Sequence, residues 1–435
     1  MKSVTVSMAS FKKEAAVNYN SKIRIKLASL VVALLVSFSS AIAGDLSSAR
    51  SLAMAGSMTA MATGVESARF NPANLGLTSS GRMQLEIATL GLNLSNNSFT
   101  LDDYNTYTGA TLSESDKATI LGKIPKEGLN IKADAEASAM SLSLGRFVFS
   151  VSGVGAADAN LNREIVELMF NGNTFADSVI ATGSYADGIA YGQAGLSYGR
   201  LLYKLGEREL AVGATAKYIR GIGYEEVIKL EALASTQANG FQGSGEMIAR
   251  TATGGSGYGL DIGTALKFNR HHTIGARLQN LLGSISWNKE TQEHGLSYSF
   301  DTLTVNNAND SVIVSDDYSI DIPAFSSRLP VIMNLGVANT SGKLRWAVDW
   351  EQGFKRTAES STKPRLSIGI EWLQLGMMPL RLGFSSGGGR GEIFSFGSGI
   401  DTGPYYFDVA AVTGSSFSVY SAKGLKLALS TGIRL

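Results

Sequence analysis

The chain has 435 residues with no cysteine, seven prolines and 49 glycines, and its mean hydropathy is near zero. An exported chain without cysteine gains no disulfides, so its stability has to come from hydrogen-bonded backbone and burial. Six of the 38 basic and one of the 37 acidic side chains fall in residues 1–43, which leaves 32 and 36 beyond them, net −4. That balance gives no basic surface or tail of the kind nucleic acid needs.

The N-terminus carries Lys22, Arg24 and Lys26, an apolar stretch over 27–38 and then Ala41-Ile42-Ala43. A basic start, a short apolar core and small residues at a cleavage site make a secretory signal peptide over 1–43, cut before Gly44. Met8 is an alternative start. No apolar run beyond residue 45 approaches the roughly 18 residues of a transmembrane helix. Residues 44–81 are small, rich in Ala and Gly, and show no alternation of a membrane strand. They read as a compact segment suited to the inside of a barrel.

Fourteen strands are expected over 82–95, 136–145, 146–155, 188–202, 208–220, 257–269, 272–283, 329–340, 343–353, 364–374, 378–386, 391–400, 404–414 and 423–435. The last is the clearest. Leu425, Leu427, Leu429, Thr431, Ile433 and Leu435 point one way; Gly424, Lys426, Ala428, Ser430, Gly432 and Arg434 point the other. Segments of about ten residues, apolar on one face and small or charged on the other, characterise a transmembrane β-barrel. Soluble sandwiches alternate as well, so loop lengths have to decide. Tight turns at 145–146, 205–207, 269–271, 341–342, 376 and 401–404 alternate with long connections at 96–135, 156–187, 221–256, 284–328 and 354–363. Periplasmic turns and extracellular loops sort in this way, with both termini periplasmic. Segments 226–235 and 245–255 form a further hairpin, which would make sixteen strands if it joined the wall.

Trp346, Trp350, Trp372, Tyr198, Tyr218, Tyr258, Tyr405 and Phe268 fall towards strand ends, as an interfacial girdle would, although aromatics favour strands anyway. In the outer loops, Ser113 and Asp116 stand at capping-box spacing before a short helix. Residues 162–170 read as an amphipathic turn or two, ended by Asn171-Gly172-Asn173.

Lys217, Asp261, Lys267, Arg277, Arg345, Asp349, Glu351, Glu371, Arg381, Asp408 and Lys426 share the lumen phase. A Lys or Arg facing lipid at the midplane would cost about 2–4 kcal/mol. Because both signs occur, the charges read first as a network gripping a plug and second as a selectivity ring. His271 and His272 are adjacent in a turn and face opposite ways, a poor metal pair. His294 with Ser297 or Ser299 lacks any spacing that marks a nucleophile and base. No catalytic residue, metal site or cofactor is therefore expected.

Arg50-Ser51-Leu52-Ala53-Met54-Ala55-Gly56, followed by Gly64-Val65-Glu66-Ser67-Ala68-Arg69-Phe70-Asn71-Pro72-Ala73-Asn74-Leu75, resembles the N-terminal pattern of the FadL-like outer-membrane barrels. That group includes fatty-acid and aromatic-hydrocarbon transport barrels and PorV-type relatives. The motif covers about thirty residues; elsewhere only the architecture is similar. The resemblance implies a fourteen-stranded barrel over 82–435 with 44–81 as an internal hatch, in which Asn71, Pro72 and Ala73 hold the hatch position. It also implies an inward kink in the third strand, where Gly153 and Gly155 stand, although ordinary bulge glycines explain these two equally well. Asn74 stands where the pattern has glycine, Ala53 and Ala55 where glycines are common, and Leu435 where an aromatic is customary. The expected function is passive passage or capture of a small hydrophobic molecule across a bacterial outer membrane. The expected partners are outer-membrane lipid and that ligand. The other reading is a non-transporting scaffold that docks an envelope or secretion complex through its outer loops.

Overall fold

The computed structural model describes residues 48–78, 83–171, 178–180, 182–237, 240–303, 313–389 and 391–435. The expected signal peptide at 1–43 lies outside these residues. Fourteen strands form the wall: β1 (Gln84–Asn96), β2 (Leu129–Leu144), β3 (Phe147–Leu161), β4 (Tyr185–Leu205), β5 (Arg208–Gln237), β6 (Gly254–Lys267) and β7 (His272–Lys289), then β8 (Ile332–Asn339), β9 (Leu344–Gly353), β10 (Arg365–Trp372), β11 (Leu380–Gly387), β12 (Glu392–Asp401), β13 (Tyr405–Gly414) and β14 (Gly424–Arg434). Each pairs antiparallel with its neighbour in sequence. The ring closes where Gln84–Ser95 of β1 run against Arg434–Gly424 of β14.

The closure explains why alternation was so clear in the last strand. Leu425, Leu427 and Leu429 are 36%, 48% and 41% exposed, while Lys426, Ala428 and Ser430 are at most 7% exposed. Leu90, Leu92, Phe149, Leu196, Ile274, Leu366, Ile368, Leu382, Phe384 and Phe396 likewise point outward around the ring. A continuous apolar exterior is stable only in lipid, and a closed sheet leaves no backbone group unpaired there. Tyr198, Tyr218, Tyr258, Phe268, Trp372 and Tyr405 are on the outer surface.

The hairpin foreseen at 226–255 exists, but it does not widen the wall to sixteen. β5 pairs with β6 only over Glu209–Gly221, and its remaining length, Tyr224–Gln237, pairs with Gly240–Ala252 above the rim. Gln292–Leu303 adds to Gly240–Ala252, and Ile313–Asp321 adds to Gln292–Phe300. These strands form a blade standing on one side of the mouth.

Candidate functional site

The residues before the wall lie against its inner face. Ser48 caps the helix α1 (Ala49–Ala53) with a reciprocal box to Ser51. A second helix, α2 (Val65–Phe70), leads into a 3-10 turn, Pro72–Gly76. All three are too short to persist alone and exist because the wall packs them. Met54, Met58, Ala49 and Ala53 are completely buried. Among the described residues, every backbone-to-backbone hydrogen bond of 48–78 is internal, so side chains join this floor to the wall.

Those side chains are mostly charged. Arg50 donates to both oxygens of Glu371 at 2.9 and 3.0 Å and to Glu66 at 2.6 Å. Glu371 also accepts from Arg381 at 2.8 Å, and Arg381 continues to Asp408 at 2.6 Å. Arg345 approaches Glu371 at 3.6 Å. On the other side Arg69 forks onto Glu86 at 2.5 and 2.9 Å. Among the described residues Asp349 has no ion pair; it accepts the backbone N–H groups of Met58 and Thr59 at 2.9 and 2.8 Å. Of the expected lumen charges, Arg345, Glu371, Arg381 and Asp408 thus meet in one cluster, Asp349 serves as a backbone anchor, and Lys426 lines the chamber above. Arg50, Glu66, Arg69 and Glu86 complete the anchors. Two arginines in a segment read as interior were the available signal, since each needs a counter-charge.

Asn71, Pro72 and Ala73 pack on β4, β5 and β6. Asn71 donates its amide to the carbonyls of Thr59 and Thr264 at 3.2 and 3.0 Å and accepts from the N–H of Ala73 at 3.1 Å. The contact is close because the wall is bare there. A Cβ added at Gly213 would stand 2.3 Å from the backbone of Pro72, and one at Gly263 would stand 2.0 Å from Asn71 Oδ1. Gly199 and Gly275 make similar room for Leu75 and Thr59, while Gly369, Gly383 and Gly397 do so for Met54 and Ala53. At Gly336 the added atom would meet Asp349 at 2.3 Å and Thr59 at 2.9 Å. Eight strands thus carry one glycine each at the level of the floor.

The third strand is continuous where the resemblance implied a kink. Gly153 pairs with Ala137 and Gly192, and Gly155 pairs with Ala135 and Ala190. The irregularity is in β2, between Ser138 and Leu142, where Met140 takes φ 60° and turns outward. A second lies in β7, where Asn280 and Leu282 have φ 56° and 59° and the β6 ladder slips.

Above the floor is a chamber open to solvent and walled by polar side chains including Lys132, Gln193, Lys217, Arg277, Asn280 and Lys426. Asp261, fully buried, holds Lys217 at 2.7 Å and also Arg277. Towards the outer strand ends an apolar cluster is packed: Trp287, Ile285 and Ile219 are fully buried beside Ile189 and Tyr191, with Tyr224 and Phe325 packed against them. The 354–364 connection reaches over the mouth. Its Arg356 pairs with Asp187 at 2.7 Å and stacks 3.7 Å from the Tyr185 ring, and Tyr191 donates to Glu359 at 2.7 Å.

Three mouth helices, α3 (Leu101–Tyr107), α4 (Glu114–Lys123) and α5 (Arg163–Asn171), flank this roof; the second has the expected Ser113–Asp116 box, and the first was not anticipated. Lys123 pairs with Asp103. Partial burial opposes ionisation of Asp103, but hydrogen bonds from Lys123 and Thr100 outweigh it and hold the carboxyl below its usual range. The histidines are not assembled into a centre. His271 contacts Ser341, His272 contacts Asn269 at 3.2 Å, and His294 contacts Thr251 at 3.1 Å.

A family of unknown function, DUF5723, matches residues 72–253. No curated protein matches the chain. Among solved structures it is similar to the deltaS2S3 mutant of the monoaromatic hydrocarbon channel TodX, at 12% identity and a TM-score of 0.52, covering 89% of this chain and 99% of that one. The toluene transporter TodX of P. putida and a FadL homologue of Pseudomonas aeruginosa each match at 12% identity and a TM-score of 0.48, covering 90% of this chain and 99% of theirs. Identity this low speaks for architecture alone. On that architecture, the chain has the fold of the FadL-like outer-membrane barrels, a closed antiparallel ring of fourteen strands.

Proposed function

We propose that the protein admits small hydrophobic molecules at its outer mouth and lets them pass by diffusion, with residues 44–81 acting as the hatch. The observation that carries this reading is the vertical order inside the barrel: a packed aromatic and aliphatic cluster near the mouth, a polar chamber, and a floor fastened by side chains rather than stitched into the sheet. A floor of that kind can shift as a unit without breaking any strand pairing. The hydrocarbon channel that shares the fold supports the ligand class. Nothing in the passage calls for a coupled energy source, because a hydrophobic solute moves down its own gradient.

The test is uptake of a labelled fatty acid and of an aromatic hydrocarbon into liposomes carrying the intact protein or a variant lacking 44–75. Flux should exceed the protein-free rate with the intact chain and rise further without the segment. Equal flux in both, at the protein-free rate, would reject the proposal. The blade favours a second reading, a scaffold that docks an envelope partner at the cell surface. It extends β5 by fourteen residues, roughly 45 Å at about 3.3 Å each, and no lumen needs that length.

A further inference from the structure

We infer that the outer edge of the blade, Ile313–Asp321, is a pairing site for an extended basic segment of a partner protein. The inference rests on the docking reading and names the chemistry of its partner. Three observations converge on this strand. Among the described residues it pairs on one side only, with Gln292–Phe300. From Val314 to Asp321 every residue is exposed, so nothing among the described residues of the rim or loops covers it. It also has no proline, no lysine and no break in its ladder, so its backbone is free to pair and its protection is acidic charge alone.

Charge selects the occupant. The four long blade segments, Tyr224–Gln237, Gly240–Ala252, Gln292–Leu303 and Ile313–Asp321, carry nine carboxylates against Lys229 and Arg250 alone, net −7, whereas the chain beyond residue 43 is −4 in all. Lys229 is already paired with Glu231 and Glu246. On the edge strand Asp317 and Asp321 share one face with Ser315 and Ser319. Val314, Tyr318 and Ile320, all exposed, share the other with Asp316. An added strand alternating lysine or arginine with apolar residues would meet charge on one face and apolar surface on the other. A second copy of this edge would not fit: antiparallel self-pairing centred on Asp317 places that carboxylate opposite its own twin, which is unfavourable. The acidic residues therefore repel identical edges while leaving the backbone free for a basic partner.

The experiment uses the full-length protein in detergent micelles and fluorescent peptides as long as the strand itself. One peptide alternates lysine and valine, one has the same composition with two central prolines, and one alternates glutamate and valine. Fluorescence anisotropy should show binding of the first, weakening with salt, and binding about tenfold or more weaker for the other two, a loss of about 1.4 kcal/mol. The triple variant D316K/D317K/D321K should lose the lysine–valine peptide while keeping the heat-modifiable migration of a closed barrel. Equal binding of the proline peptide would reduce the effect to simple charge attraction and overturn strand addition. Unchanged binding to the triple variant would place the site elsewhere and overturn the proposal too. The docking reading is tested separately, by whether a native envelope partner co-purifies with the intact chain but not with one whose blade is shortened. Loss of that partner on shortening, with retention in the triple variant, would keep docking and reject the edge.

Discussion

Glu371 is 2% exposed and receives Arg50 from the floor and Arg381 from the neighbouring strand. Two buried guanidiniums on one carboxylate hold only while its charge is present. Glu371→Gln keeps the shape and removes the charge, so the floor should loosen at a cost of about 3–5 kcal/mol, the size expected when one partner of a buried pair is neutralised. Trypsin reads this directly: cleavage at Arg50 and Arg69 should accelerate while heat-modifiable migration stays that of the intact wall. Protection equal to the parent would mean that Glu86, Asp349 and the packed methionines hold the floor without it. At this scale the sequence told which wall charges face inward, because a two-residue period sorts faces without knowledge of the third dimension. It could not tell partners. Arg50 and Glu371 are 321 positions apart, and Asp349, read as one charge among many, turned out to hold backbone N–H groups.

The mouth helices carry the pH dependence that belongs to elements. Asp103 closes the capping box of α3 with Thr100 and receives Lys123 from α4. Its carboxyl is held below the ordinary value, so its contribution is present above the unfolded value of about 3.9 and is lost only as pH falls through the lower folded value. The pair should therefore stay docked from neutral pH down to about 4 and loosen below it. Pepsin cleavage within 101–123, followed from pH 4 to 2, should rise steeply only at the acid end, and D103N should bring early cleavage at every pH in that range. α4 was legible because Ser113 and Asp116 announce a helix start locally, and the run at 162–170 because its apolar residues recur at helical spacing. α3 carries the same start signal, Thr100 and Asp103 at capping-box spacing, and was less legible because no apolar stripe follows it. Strand positions were readable for the opposite reason: wall strands meet lipid on one side and small or polar groups on the other, which writes the period strongly. The blade meets water on both sides, and its outer strand therefore left no comparable trace.

For the molecule as a whole, the parity of short and long connections was enough to give the ring, because a closed antiparallel sheet in a membrane must return on alternate sides. How the interior is occupied was less legible, since a bare glycine in a strand reads as a bend or a bulge until its neighbour is known. Gly199, Gly213, Gly263, Gly275, Gly336, Gly369, Gly383 and Gly397 are such cases, each leaving out a side chain where the leading segment presses. The consequence is epistasis between two stretches of one polypeptide. Gly213→Ala should lower the urea midpoint of the intact chain, because its methyl would collide with Pro72. The same change in a chain lacking 44–75 should be neutral or stabilising, since alanine there costs less backbone entropy than glycine. Equal midpoint shifts in both backgrounds would show that the wall demands glycine for its own sake. Otherwise the inner girth of the cylinder was tailored to its contents, and neither half can drift in evolution without the other.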